Sequence, residues 1–138
     1  MPVHGIEHVL VLTDDIDGTR DWWADAFGLR PGARPPLPFS GHWLYGEGTG
    51  ALLHIADRAE YAAHSATIGL AVPDGPAGGE VPIDHVALAA TDYDATLARL
   101  EALGLEYVAN EIPELGVRQL YVHDPNGVCV ELNVAPPL

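Results

Sequence analysis

Two stretches of this chain repeat one another at an interval of 77 residues, and that duplication restricts the fold more than any other feature. Ile6-Glu7-His8-Val9-Leu10-Val11 lies beside Ile83-Asp84-His85-Val86-Ala87-Leu88. The same interval carries Asp15 onto Asp92, Asp17 onto Asp94 and Thr19 onto Thr96. Farther along it carries Leu44 onto Tyr121, Gly50 onto Gly127 and His54 onto Glu131. Between these, Phe27-Gly28-Leu29 matches Leu103-Gly104-Leu105 after a shift of one residue. Agreement at both ends and in the middle points to one module used twice.

Each copy predicts the same succession of elements. Val9 to Leu12 and Val86 to Ala89 are apolar runs of strand length, each opened by a histidine. Asp14-Asp15 and Thr91-Asp92 supply side-chain oxygens that cap a following helix. Trp22, Trp23, Ala26 and Phe27 form the apolar stripe of the first helix. Tyr93, Leu97, Leu100 and Leu103 form that of the second, which Gly104 ends in a left-handed conformation. Three short strands follow in each copy, over about 29–34, 41–46 and 51–55, then about 106–111, 117–123 and 128–134. Asp124-Pro125-Asn126-Gly127 is strong hairpin punctuation.

The fold expected is therefore α+β: two βαβββ modules forming a curved mixed sheet in a single domain. Module 1 spans about 3–56, a linker about 57–81 and module 2 about 82–135. Arg58 to Ala66 reads as a short connecting helix, and Pro73 to Pro82 has the composition of a linker.

Composition narrows the function classes. With 138 residues, 48% hydrophobic and 19% charged, the chain is long and apolar enough for a globular core. Twenty acidic against six basic residues give a net charge of −14, which repels phosphate backbones and anionic lipid, so neither nucleic acid nor membrane is an expected partner. No apolar run approaches the ~20 residues of a membrane span, and the opening Met-Pro-Val-His-Gly lacks a secretory pattern. The single Cys129 excludes an internal disulfide, and it is expected to be a small buried hydrophobe sharing the strand face of Glu131. A cytoplasmic location is expected.

The repeat also exposes a candidate site. His8 and His85 open the first strands of the two modules, while His54 and Glu131 occupy the last strands. A pseudo-twofold relation between modules would gather all four. Glu131 lies in the apolar run Val128-Cys129-Val130-Glu131-Leu132, where an unpaired carboxylate is costly and a cation relieves the cost. Imidazoles plus one carboxylate with open positions suit non-haem Fe(II); Mn, Ni, Co or Zn are also accommodated.

These residues in a duplicated βαβββ frame resemble the vicinal oxygen chelate superfamily along nearly the whole chain. That group includes glyoxalase I, extradiol ring-cleavage dioxygenases, methylmalonyl-CoA epimerase, fosfomycin-modifying thiol transferases and bleomycin-sequestering proteins. The resemblance implies that His8, His85 and Glu131 are the metal ligands. It gives His54 two roles: a fourth ligand, where glyoxalase I and the epimerase carry glutamate or glutamine, or an acid–base group, as in the extradiol enzymes. The acid–base role is slightly favoured, since an ordinary histidine titrates near pH 6.5. Tyr121, in Leu120-Tyr121-Val122-His123-Asp124-Pro125-Asn126-Gly127, fits the second half of the extradiol signature and is expected to contact substrate. The first half departs from it, with Ile112-Pro113-Glu114 where that signature has a histidine. For Tyr121 to share a face with Glu131, the hairpin needs an odd loop or a bulge.

The function expected is a metal-dependent enzyme for a small substrate that chelates through vicinal oxygens, with extradiol-type dioxygenation marginally ahead. A glyoxalase I-like isomerase or lyase, a thiol transferase for an antibiotic and a non-catalytic drug-sequestering protein are the alternatives. A homodimer is expected, with modules paired within one chain or exchanged between two. Trp43 and Tyr45 are candidate pocket walls, Arg34 and Arg118 candidate anion partners with a surface ion pair the safer reading, and His42, His64 and His123 are expected at the surface.

Overall fold

In a computed structural model, which describes residues 6–70 and 85–136, the chain divides into two compact units, Met1–Gly75 and Pro76–Leu138. Each carries one βαβββ module, so the α+β class and the duplication hold. Hydrogen bonding gives each module its own four-stranded mixed sheet. The linker expected at Pro73 to Pro82 lies outside the described residues.

The first unit begins with strand β1 (Val9–Thr13) and helix α1 (Ile16–Phe27). Asp15 caps the helix by accepting from the Gly18 amide, and Gly28 ends it at φ 68°, a conformation that suits a residue without Cβ. Strands β2 (Arg30–Gly32), β3 (Gly41–Tyr45) and β4 (Ala51–Asp57) complete the sheet in the order β1-β4-β3-β2. β2 is half the expected length. Pro31 has no amide to give and is tolerated because β2 is an edge, and Pro35-Pro36 end any further ladder. Helix α2 (Arg58–Thr67) follows β4 directly, capped by Asp57, and agrees with the expected connecting helix.

The second unit repeats the plan with β5 (Val86–Ala90), α3 (Tyr93–Ala102), β6 (Val108–Ile112), β7 (Val117–His123) and β8 (Cys129–Val134), in the order β5-β8-β7-β6. The parallel pair β1–β4 and its counterpart β5–β8 share one register: Leu10 pairs with His54, and Ala87 with Glu131. All five residue pairs of one ladder map onto the other at the 77-residue interval. The antiparallel partner strands do not. His54 faces Trp43 across β3, whereas Glu131 faces Tyr121 across β7. The two hairpins are two residues out of step at their turns, and the irregularity between Leu44 and Tyr45 reduces this to one, so Trp43, rather than Leu44, holds the place of Tyr121.

Alternation assigns one face of each sheet to the core. In the first unit Val11, Leu44, Leu53 and Ile55 are buried, together with Trp23 and Ala26 of α1. The hydroxyls of Thr13 and Thr19 meet at 2.8 Å and pin α1 to β1. Trp22 and Phe27 are only half-buried. In the second unit Leu120, Val122, Val130 and Leu132 are buried, with Leu100 from α3, while Leu103 stays exposed. Full burial of one such side chain contributes roughly 1.5–3 kcal/mol. The opposite face of each sheet is thereby left for polar residues, and those carry the candidate chemistry.

Candidate metal and proton-transfer site

On the first sheet, three rings stack across three neighbouring strands. His54 lies between His8, whose ring centroid is 3.7 Å away at 15° from parallel, and Trp43, at 4.1 Å and 5°. The strand order β1-β4-β3 sets them side by side, since His8 precedes β1 and points to the same side as Leu10. Leu10 and Leu52 flank the stack and remain 36% and 37% exposed, giving an apolar surround. Nδ1 of His8 pairs with the Glu7 carboxylate at 3.1 Å, which leaves Nε2 with the lone pair that a metal takes. Burial, and next the neighbouring His8, hold His54 below the ordinary histidine value of 6.5; the Glu7 carboxylate opposes and Arg34 reinforces the shift. His54 is consequently a neutral base at pH 7.

On the second sheet, Glu131 is 7% exposed and its Oε2 lies 2.8 Å from Nε2 of His85. Its Oε1 accepts from the Gln119 side-chain amide at 2.7 Å. That amide also donates to Asn133 Oδ1, and Gln119 Oε1 accepts from Asn110 at 2.7 Å and from the Tyr121 hydroxyl at 3.3 Å. All four bonding positions of the Gln119 amide are filled, so the orientation of the Glu131 carboxylate is fixed from behind. Tyr121 is the direct cross-strand partner of Glu131 and shares its face. The five-residue loop at positions 124–128 supplies the odd count that this requires. It is closed by Asp124, which accepts from the amides of Asn126 and Val128, and by Gly127 at φ 86°. The Tyr121 and His85 rings meet in a T-shaped contact, with centroids 6.2 Å apart and planes 88° from parallel.

Each unit thus brings together one pair of candidates, His8 with His54 and His85 with Glu131. Among the described residues no three His, Cys, Asp or Glu side chains form a metal-holding group. The donor types fit a divalent ion: an imidazole with its tautomer set by a carboxylate, and a buried carboxylate already beside a second imidazole.

A family model describing the Glyoxalase/Bleomycin resistance protein/Dioxygenase superfamily matches residues 5–132. The chain belongs to that superfamily. A superfamily relative, Glyoxylase I 4 of Arabidopsis thaliana, is 29% identical over 137 residues, covering 95% of this chain and 72% of its own length. A lactoylglutathione lyase from Agrobacterium tumefaciens shares the superfamily fold with a TM-score of 0.65 and 24% identity, over 97% of this chain and 96% of that one. So does the fosfomycin resistance protein FosX of Listeria monocytogenes, in a variant complexed with Mn(II) and 1S,2S-dihydroxypropylphosphonic acid. There the TM-score is 0.65 and the identity 15%, with 98% and 95% of the two chains covered.

Other residues of this superfamily member differ from what their surroundings in sequence suggest. His42 is not a free surface histidine: it is half-buried and pairs with Asp17 of α1 at 2.7 Å, because its parity directs it to the helix-covered face. His64 is half-buried against Phe39, while His123 is exposed as expected. Arg118 lies over the Tyr93 ring at 3.7 Å with Asp94 at 4.0 Å, a surface pairing. Cys129 is half-buried. Sequence reasoning missed Gln119, Asn110 and Asn133. The signal available was the two-residue spacing of Gln119 from Tyr121 and of Asn133 from Glu131, which places both on the Glu131 face; Asn110 joins them only through its pairing with Gln119 across β6 and β7.

Proposed function

We propose that this chain is a divalent-metal enzyme in which His8, His85 and Glu131 hold the ion and His54 moves a proton. Its substrate is a small organic molecule with two adjacent oxygens. The observation that carries this division of labour is the co-facial packing of His8 and His54. An imidazole binds a metal through a lone pair lying in its own ring plane. Rings 3.7 Å apart and within 15° of parallel do not aim their lone pairs at one point. His8, with Nδ1 engaged by Glu7, fits the ligand role; His54, desolvated and neutral, fits the base.

A bound divalent ion, Fe(II) first and Mn, Ni, Co or Zn otherwise, supplies Lewis acidity to the adjacent oxygens and, as iron, redox capacity. Glu131 contributes the negative charge, held in orientation by Gln119. A ring nitrogen of His54 accepts the substrate proton and returns it later. Tyr121, on the face of Glu131, contacts the substrate; its hydroxyl, which donates to Gln119 Oε1 at 3.3 Å, turns to the oxygen on which charge develops once substrate is bound. Leu10, Leu52 and Trp43 shelter this exchange from water. The same reading takes the chain as a homodimer.

Extradiol-type oxygenation of a vicinal diol comes first, because a histidine outside the ligand set and a tyrosine facing the glutamate are what that resemblance implies. A glyoxalase-type isomerisation is the second reading, supported by the 29% identity to the plant glyoxylase. Anaerobic purification followed by Fe(II) and a panel of catechols tests the order. Oxygen consumption supports the first reading. Silence with every diol, alongside turnover of a hemithioacetal with Ni or Co, reverses it. A chain that binds no metal and only retains drug would overturn both.

A further inference from the structure

We propose that Arg34 is a built receptor for an oxyanion, so that the molecule held on the His54 face carries a carboxylate, phosphonate or phosphate group. The inference rests on the reading that this face holds substrate, and adds the substrate's charge. Among the described residues Arg34 Nε is buried and has no hydrogen-bond acceptor, and no carboxylate lies within ion-pair reach of the side chain. The chain's cations are six arginines and no lysine. Arg20 reaches Asp17 and Asp21, Arg58 reaches Asp14, Arg118 lies near Asp94, and Arg30 caps the Gly46 carbonyl. Arg30 and Arg99 likewise have no carboxylate partner among the described residues, but among those residues only Arg34 has a buried guanidinium nitrogen left without an acceptor, and that calls for an explanation. A buried donor is normally satisfied, and an arriving anion would satisfy this one.

The surroundings of Arg34 hold it in place. Tyr45 donates its hydroxyl to the Ala33 carbonyl, and Arg34 Nη2 donates to the Phe39 carbonyl. The guanidinium stands over the Phe39 ring at 5.3 Å, and that ring packs on Tyr61 and His64 of α2. The Ser40 amide donates to Glu60, and Pro35, Pro36 and Pro38 stiffen the span between. Gly32 pairs with Trp43 on β3, so continuing the alternation of β2 places Arg34 on the side of Trp43 and His54. The Arg34 charge is also among those acting on His54. A guanidinium held in this way, with an unpartnered Nε–H, offers the fork that planar or tetrahedral oxyanions bind through two oxygens once the buried Nε is uncovered.

The test follows the arginine Nε–H resonances of the 15N-labelled, metal-free full chain during titration with benzoate, phenylphosphonate and neutral benzamide at millimolar concentrations. The absence of metal keeps the anions from binding an ion instead. The expected result is a saturable shift of the Arg34 Nε–H signal with at least one oxyanion and none with benzamide. Binding should weaken tenfold or more in Arg34→Gln and less in Arg34→Lys. Which of the two anions acts distinguishes a carboxylate from a phosphonate substrate. An unmoved Arg34 signal with both anions, or equal binding by Arg34→Gln, overturns the proposal. The wild-type signal needs no variant to fold. Zn(II) affinity is measured in parallel: a wild type that binds oxyanion but no Zn(II) removes the metal reading and leaves this one standing.

Discussion

The imidazoles of His8 and His54 pack face to face, 3.7 Å apart, with Trp43 closing the other side of His54. A histidine enclosed in this way is desolvated and cannot share an ion with the ring beside it. His54→Gln is therefore expected to keep metal affinity while lowering kcat by about 10²–10⁴-fold, the range for loss of a general acid–base group. Metal titration beside steady-state kinetics checks it, and a variant that loses metal and activity together would show His54 to be a ligand.

The same enclosure makes stability depend on pH in the metal-free protein. Burial, then His8, lower the folded-state pKa of His54 below 6.5, so in acid the unfolded chain binds the proton more readily. The stabilising contribution is fully present above pH 6.5 and is lost as pH falls through that value toward the folded-state pKa. Urea midpoints should fall more steeply below pH 6.5 for wild type than for His54→Gln. Parallel curves would contradict the shift.

Gln119 joins Asn110, Tyr121, Glu131 and Asn133 through one amide. Gln119→Leu removes the amide hydrogen bond to the buried Glu131 Oε1 together with those to half-buried Tyr121 and Asn133, at a cost of about 1–3 kcal/mol in chemical denaturation. Release of the Glu131 carboxylate should weaken metal binding by roughly 10–100-fold. Unchanged metal affinity in a folded Gln119→Leu protein would limit the residue to a structural role.

Gly41 tests the packing of β3 on β4. A Cβ there would lie 2.0 Å from the Ile55 carbonyl oxygen, which is backbone and cannot swing away. Gly41→Ala should cost about 1–3 kcal/mol, whereas Gly48→Ala, in open space, should stay within about 0.5 kcal/mol of wild type. Equal midpoints for the two variants would contradict the register that pairs Gly41 with Ala56.

Most of the fold was legible because the duplication is written twice. His8 and His85 marked equivalent strands, and the 77-residue interval reproduced the register of both parallel ladders. The same interval misplaced the partner of His54, because β3 pairs with β4 one residue out of step with β7 on β8, an offset set by the hairpin and the bulge together that leaves no mark in the sequence pattern. Pro31 shortened β2 in a way that composition recorded but alternation did not. Within the site, Glu131 stood out as a carboxylate in an apolar run, whereas Gln119 did not. Alternating polar residues on an exposed-looking strand read as a solvated face until their mutual bonds are seen. Arg34 was legible as a candidate anion partner, with a surface ion pair the safer reading; the buried Nε without an acceptor among the described residues was not, because burial of one nitrogen leaves no trace in sequence.

The central claim concerns the ligand set, and metal binding tests it most directly. Titration of Fe(II), or of Zn(II) in air, into the full chain should give about one equivalent per chain in wild type and in His54→Gln. It should give none at comparable concentration in His8→Ala, His85→Ala or Glu131→Gln. Wild type that binds no ion, or any of those three variants binding as wild type does, would contradict the account.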